Sequence, residues 1–130
     1  FVVTYWYPDD VQASFSSHQL NGGLSDLCVR CIGLKGTADT HYGGLVRIVG
    51  QNPWMGAEKD DTFRQGAINN VKAFVESVRS GKHLNNTDQA VESNLTAILG
   101  RMAAYGNRTV TWDEMTRSTE RLEFQTKLRW

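Results

Sequence analysis

The sequence has few of the features that mark secreted, membrane-spanning or nucleic-acid-binding proteins. It has two cysteines in 130 residues, which give no reason to place it in an oxidising compartment. No apolar run comes near the roughly 18 residues that a membrane-spanning helix needs. Fourteen basic and fourteen acidic side chains cancel, so no excess positive charge attracts nucleic acid or an anionic membrane. Neither partner is expected, and the 40% apolar content suits a single domain over residues 1–130.

Motifs for binding nucleotides and metals are also missing. The glycines never form G-x-G-x-x-G between a strand and a helix, so a dinucleotide has no visible site. The histidines, His18, His41 and His83, are far apart and lack a spacing such as H-x-x-x-H. We interpret them as surface or interface histidines. No metal is predicted.

One C-x-x-C pair, Cys28 and Cys31, invites a zinc or redox interpretation. On a strand, however, residues three apart point to opposite faces, and a zinc site needs two more ligands. No helix N-terminus follows that would lower a thiol pKa. The pattern therefore favours two buried strand cysteines.

Patterns of β-branched and aromatic residues predict strands through the first fifty residues. The third predicted strand, for example, places Leu27, Val29 and Cys31 on one face. Turn residues separate the strands, among them Pro8-Asp9-Asp10, Asn21-Gly22-Gly23 and Lys35-Gly36. The predicted strands cover residues 1–7, 11–20, 26–34, 37–41 and 45–49. This order predicts an antiparallel meander, followed by an irregular loop over residues 50–61.

Two long amphipathic helices are predicted after this loop. The first begins after Thr62 and ends at Ser80-Gly81, and the second covers residues 87–106, with Gly106 expected to stop it. Thr111 and Glu114 form a capping box that starts a further helix at Trp112. Strands followed by helices predict an α+β fold, an open, mainly antiparallel sheet of about five or more strands with two long helices packed on one face.

A longer signal is the run Glu92-Ser93-Asn94-Leu95-Thr96-Ala97-Ile98-Leu99-Gly100-Arg101-Met102-Ala103-Ala104-Tyr105, continued by Val110-Thr111-Trp112-Asp113-Glu114. This run resembles the carboxyl-terminal signature of the Gfo/Idh/MocA-type oxidoreductases, which are NAD(P)-dependent enzymes acting mostly on sugars, inositols and related polyols. The likeness extends to the opening strands, the turn at residues 33–37 and the helix start at residues 63–70.

The resemblance implies a carboxyl-terminal, dihydrodipicolinate-reductase-like domain that shapes the substrate pocket and pairs subunits through its open sheet face. NAD or NADP would then bind an N-terminal Rossmann domain that is absent from this chain, so no cofactor site is expected here. A start at Phe1, inside an apolar run, agrees with a domain taken from a longer protein. The family is mostly intracellular, which implies a cytoplasmic location.

A sugar or polyol pocket needs polar donors and an aromatic platform on a rigid frame. The candidate substrate-binding residues lie where the loop meets the first helix: Trp54, Arg64, Gln65, Asn69 and Asn70. The ordinary alternative is that the asparagines lie on a helix surface, the arginine pairs with an acid and the tryptophan covers a core edge. Glu58-Lys59-Asp60 resembles the family's Glu-Lys-Pro only superficially, and we interpret it as a solvated charge cluster. No catalytic residue is predicted.

Two functions from different classes remain at this point. One is the substrate-binding and oligomerisation domain of an NAD(P)-dependent dehydrogenase, inactive alone. The alternative is a free-standing dimeric interaction or small-ligand-binding module without enzymatic activity. Both include a homodimer through the open sheet face, which mixes Arg30 and His18 with large apolar groups such as Trp6.

Overall fold

The structure is a computed structural model that describes residues 1–23, 25–56 and 62–122. All of the strands come first along the chain, and the helices follow them. The strands are β1 (Val2–Trp6), β2 (Gln12–Ser16), β3 (Cys28–Gly33), β4 (Gly36–His41), β5 (Val46–Gly50) and β6 (Trp54–Met55). The helices are α1 (Thr62–Ser80), α2 (Thr87–Gly106) and α3 (Trp112–Thr116). The α+β class and the antiparallel pairing predicted from the sequence are therefore confirmed.

The chain divides into two compact units. The terminal unit combines Phe1–Gln19 with Asn85–Trp130, and the central unit is Leu20–Leu84. The terminal unit contains β1, β2, α2 and α3, and the central unit contains β3 to β6 and α1. The single domain over residues 1–130 stays a prediction.

In the terminal unit, β1 and β2 form an antiparallel hairpin. The turn holds Asp9 at φ 60° and Asp10 at φ 57°, the pair of positive values that matches the twist of the flanking strands. Val3 pairs with Phe15 across the hairpin. A hydrogen bond from the Ser17 amide to the Phe1 carbonyl, 3.0 Å long, extends the pairing beyond β2.

Helix α2 packs on β1 through the ring of Tyr5. The Tyr5 hydroxyl donates a hydrogen bond to the Thr96 carbonyl at 3.2 Å, and Gly100 is the buried residue of the helix. A side chain at position 100 would collide with the Tyr5 ring, so glycine permits this close approach. The core of the terminal unit consists of the buried side chains of Val3, Val110 and Met115.

Both long helices run close to their predicted bounds. Of the predicted capping box, the Thr111 cap is confirmed, whereas the carboxylate of Glu114 binds Arg108. The Glu114 amide donates to the Thr111 hydroxyl at 3.2 Å, which satisfies a free N–H group at the start of α3. Gly81 ends α1 with φ +66°. The left-handed residue after α2 is Asn107, at φ 47°, and not Gly106. An asparagine tolerates this conformation better than most residues, and it lies one position beyond the predicted stop.

In the central unit, the strands form a four-stranded antiparallel sheet in the order β3-β4-β5-β6. Because side chains alternate along a strand, the sheet has two distinct faces. The charged face carries Cys28, Arg30, Asp39, His41 and Arg47. The apolar face carries Val29, Cys31, Ala38, Ile48 and Trp54.

Helix α1 presents an apolar stripe with little cover. Val71, Phe74 and Val78 are all exposed. Among the described residues, α1 packs along none of the four strands of its unit. The rings of Tyr42 and Phe63 meet edge to face with centroids 6.4 Å apart, which links the first turn of the helix to the end of β4.

The prediction of one open sheet with five or more strands is wrong for the described residues, which form one sheet of two strands and one of four. The reason lies between β2 and β3: the chain leaves extended geometry there, with Gly22 at φ +84°. Helix α2 packs on the two-stranded sheet, so the two long helices do not share one sheet face. Trp54 and Met55 form β6 within the predicted loop.

Two further predictions concern the burial of the cysteines and a charge cluster. Cys28 is half-buried and Cys31 is exposed, so the prediction of two buried cysteines is wrong, because no described element covers the face that carries Cys31. The charge cluster Glu58-Lys59-Asp60 lies outside the described residues. None of the helices in the described part of the chain combines the length and the apolar character that crossing a bilayer requires.

Candidate functional site

The charged face of the central sheet is organised around Asp39. This side chain is only 11% exposed, and it accepts a hydrogen bond from Arg30 Nε at 2.9 Å. Arg47 Nη2 lies 3.3 Å from its other oxygen. Arg30 and Arg47 are the cross-strand neighbours of Asp39 in β3 and β5, so the three residues form a ladder across the sheet. Two cations thus hold one carboxylate in a fixed orientation.

His41 lies two residues along β4 from Asp39, on the same face, and it contacts a carboxylate through each ring nitrogen. Nε2 is 3.2 Å from Asp39 Oδ1, and Nδ1 is 3.4 Å from Asp26 Oδ1. Arg30 Nη2 lies 3.4 Å from the same Nε2 atom. The imidazole is therefore oriented from both sides.

Cys28 is the cross-strand partner of His41 and completes a cluster with Asp26. The thiol sulfur, an imidazole nitrogen and a carboxylate oxygen lie within 4.8 Å of one another. These are the three ligand types that bind zinc in proteins. The Asp26 side chain is 48% exposed, so the cluster is open to solvent on that side.

On the charged face, the surroundings shift the pKa of Cys28, of Arg30 and of Asp39. Partial desolvation raises the pKa of the Cys28 thiol, and the negative charge of Asp26 adds to this rise although Arg30 opposes it. Desolvation also acts to raise the pKa of Asp39, but His41 and Arg30 together outweigh it, so the pKa of Asp39 is held below its usual value. Asp39 is therefore an anion near neutral pH, whereas Cys28 is a thiol.

This cluster is not apparent in the sequence, because its members come from different segments of the chain and no single strand shows the pattern. The signal that reveals it is the tight turn between β3 and β4, which the sequence predicts at Lys35-Gly36 and the structure places at Leu34-Lys35. Gly33 pairs with Gly36, and this tight turn fixes the register, so that Arg30 meets Asp39 and Cys28 meets His41. Residues thirteen positions apart thus become neighbours.

The structure places the five predicted substrate-binding residues on two elements. Trp54 lies on β6, and Arg64, Gln65, Asn69 and Asn70 lie in the first half of α1. It brings Gln65 and Asn69 together through a hydrogen bond from Nε2 to Oδ1 of 2.8 Å. In the described part of the chain, β6 and α1 do not pack on each other. Substrate binding by these residues stays a prediction.

A separate groove lies in the terminal unit, between β1, α2 and the segment that follows α2. Its volume is about 1110 Å³. Val3 and Tyr5 of β1 line it, as do Gly100 and Ala103 of α2 and Trp112 at the start of α3. Such a volume and such an apolar lining would accommodate a small molecule or a chain segment.

Comparisons of this chain with protein-family models, with curated proteins and with solved structures found no match.

Proposed function

We propose that this chain is the carboxyl-terminal substrate-binding and oligomerisation domain of an NAD(P)-dependent oxidoreductase that acts on a sugar, inositol or related polyol. It is inactive alone, because the nucleotide binds elsewhere in the parent enzyme. The observation that supports this proposal best is the uncovered apolar face of the central sheet.

This face carries large side chains that a monomer would normally bury. Val29 is 63% exposed and Ile48 is 42% exposed, on two strands of one continuous sheet. Contiguous apolar patches of this kind mark protein interfaces. A sheet face can pack on the same face of a second copy about a two-fold axis, so a second copy of the chain is the proposed occupant.

The charged face suits a homodimer less well. The Asp39 carboxylate on this face is already bound by Arg30 and Arg47 within the sheet. Burying these charged groups in an interface would remove water from them without supplying new partners. The two faces therefore have different tasks, and the apolar face is the one assigned to assembly.

For the substrate, the proposal keeps the five residues predicted from the sequence. The amide pair of Gln65 and Asn69 is exposed, so its donors and acceptors can exchange their mutual hydrogen bond for bonds to hydroxyl groups. The half-exposed ring of Trp54 offers the flat apolar surface on which a sugar ring can lie.

Sedimentation of the purified chain tests the assembly part of the proposal with a matched pair of variants. Ile48 and Val49 are neighbours on β5 but lie on opposite faces. Ile48→Glu should convert a dimer to a monomer, because it places a charge in the interface. Val49→Glu should leave the dimer intact. A monomeric wild-type chain at high concentration, or equal behaviour of the two variants, would contradict the proposal.

A second candidate function is supported by the groove of about 1110 Å³ in the terminal unit. In this alternative, the chain is a free-standing small-ligand module without enzymatic activity. The coding sequence that precedes Phe1 discriminates between the two. A Rossmann domain with G-x-G-x-x-G there supports the oxidoreductase, and an open reading frame that starts close to Phe1 supports the free-standing module.

A further inference from the structure

We infer that Asp26, Cys28 and His41 form a binding site for a divalent transition-metal ion, with Zn²⁺ as the best-fitting ion and a water molecule as its fourth ligand. The site lies wholly in the central unit, and the inference does not depend on the proposed function. It differs from the expectation drawn from the sequence, which predicted no metal.

The distances fit a tetrahedral ion. Bonds of about 2.0–2.1 Å to nitrogen and about 2.0–2.2 Å to oxygen place those two ligand atoms roughly 3.4 Å apart. His41 Nδ1 and Asp26 Oδ1 are 3.4 Å apart. One ligand atom each of Asp26, Cys28 and His41 lies within 4.8 Å of the others. A tetrahedral zinc ion spaces sulfur and nitrogen about 3.6 Å apart, so the side chains close by up to about 1 Å to complete the tripod.

A second observation is the orientation of His41 by a buried carboxylate. Asp39 Oδ1 lies 3.2 Å from Nε2, closer than Arg30 Nη2 at 3.4 Å, so in the metal-bound form Nε2 carries the proton and donates it in a hydrogen bond to Asp39. The lone pair of the neutral ring is then on Nδ1, which faces Asp26. A histidine that ligates a metal through one nitrogen and donates its other N–H to a carboxylate is a recurrent arrangement, and it fixes both tautomer and ring orientation.

The supporting frame is rigid. Cys28 and His41 are direct cross-strand partners, and the Tyr42 amide donates to the Leu27 carbonyl at 2.8 Å, so pairing continues past the end of β3. That bond holds the backbone next to Asp26. Arg30 and Arg47 bind the Asp39 carboxylate, which prevents it from turning toward the ion. The ligands therefore need little reorganisation to bind.

Charge and ligand chemistry select the ion. The Asp26 carboxylate and the Cys28 thiolate that forms on binding supply two negative charges, which balance a divalent cation. A thiolate with an imidazole favours Zn²⁺ over Mg²⁺ or Ca²⁺, which prefer oxygen ligands. Three protein ligands leave one tetrahedral position open, and the exposed side of Asp26 gives water access to it.

The competing arrangement contains no metal. In it, a protonated His41 donates to Asp26 and Asp39, and Cys28 remains a neutral thiol that takes no part. The two arrangements differ in the role of Cys28. The cysteine three residues along, Cys31, lies on the opposite face of the same strand and provides a matched control.

Cobalt titration of the full chain, reduced with a non-thiol reductant, tests this role directly. We expect saturation at a single Co²⁺ per chain, with the intense visible bands of tetrahedral cobalt and a thiolate-to-cobalt charge-transfer band in the near ultraviolet. Cys28→Ser should abolish the charge-transfer band, and Cys31→Ser should retain it. A wild-type spectrum without that band, or its survival in Cys28→Ser, would overturn the inference.

Zinc affinity, measured by competition with a chromophoric chelator, tests the other ligands. Asp39→Asn removes only the carboxylate that positions His41, and it should weaken zinc binding by about 10- to 100-fold. Asp26→Asn and His41→Gln each remove a ligand, so each should weaken zinc binding by at least as much. His83→Gln, outside the cluster, should bind as the wild type does. Circular dichroism identifies any variant that fails to fold. Unchanged affinity in a folded Asp26→Asn and a folded His41→Gln would contradict the assignment.

Discussion

Gly100 of α2 lies directly against the ring of Tyr5 from β1, and the Tyr5 hydroxyl donates to the Thr96 carbonyl one turn earlier in the same helix. The two contacts together hold helix and strand at a fixed distance. Gly100 lies within residues 92–105, the run that resembles the oxidoreductase signature. A glycine in a helix interior is unfavourable unless two elements must approach closely, so packing against Tyr5 explains the glycine at this position.

The first prediction concerns this contact. Gly100→Ala should destabilise the terminal unit by roughly 1–3 kcal/mol, because the new methyl group overpacks the Tyr5 ring. Gly66 provides the control, since it lies in α1 with no atom near the position of an added Cβ. Gly66→Ala should stabilise its helix by roughly 0.5–1 kcal/mol. Urea unfolding of both variants measures the difference, and a stabilising Gly100→Ala would show that the contact is misplaced.

The second prediction concerns the start of α3. Thr111→Ala removes the oxygen that accepts the Glu114 amide, and it should cost about 1 kcal/mol of unfolding free energy. Thr109→Ala is the control, because within the described residues its side chain makes no hydrogen bond. If the two alanine variants unfold at the same denaturant concentration, the Thr111 cap does not contribute as described.

The third prediction concerns acid stability. Arg108 Nη1 donates to Glu114 Oε2 at 3.1 Å, and this hydrogen bonding is the main reason that the pKa of Glu114 lies below its usual 4.5. Hydrogen bonding from Arg101 lowers the pKa of Glu120 in the same way. A carboxyl group with a lowered pKa in the folded state stabilises the fold above its ordinary pKa, and this contribution is lost as the pH falls through the folded value.

The unfolding free energy should therefore decrease as the pH drops below about 4.5. Glu114→Gln should make this decrease shallower, and Arg108→Gln should do so by a similar amount because it removes the same pair. Urea unfolding between neutral and acid pH measures the slopes. The variant with both substitutions provides the check. If its unfolding free energy depends on pH less steeply by twice the change seen in either single variant, the two side chains act independently and the ion pair does not explain the effect.

Much of the local structure could be predicted from the sequence. Apolar stripes in two segments predicted α1 and α2, and the pair Thr111 and Glu114 predicted the start of α3. Turn residues such as Asp9 and Asp10 located the first hairpin. These signals are local, because they depend on residues within one or two turns of each other.

The arrangement of strands into sheets could not be predicted in the same way. Alternation of apolar and polar residues shows that a strand has one covered face. It does not identify the other strands with which that strand pairs. Contacts between distant parts of the chain determine that β1 and β2 form a sheet of two strands among the described residues. They also determine how much of the apolar stripe of α1 is covered. For the same reason, the cluster of Asp26, Cys28 and His41 becomes visible only when the register of β3 and β4 is known.

The most direct test of the proposed function follows the backbone amide signals of the isotope-labelled chain during titration with NADH or NADPH and then with inositol. The account predicts no shift with either nucleotide and saturable shifts with the polyol at the candidate residues Trp54, Arg64, Gln65, Asn69 and Asn70. Saturable nucleotide binding, or polyol shifts that leave these five residues unchanged, would contradict it.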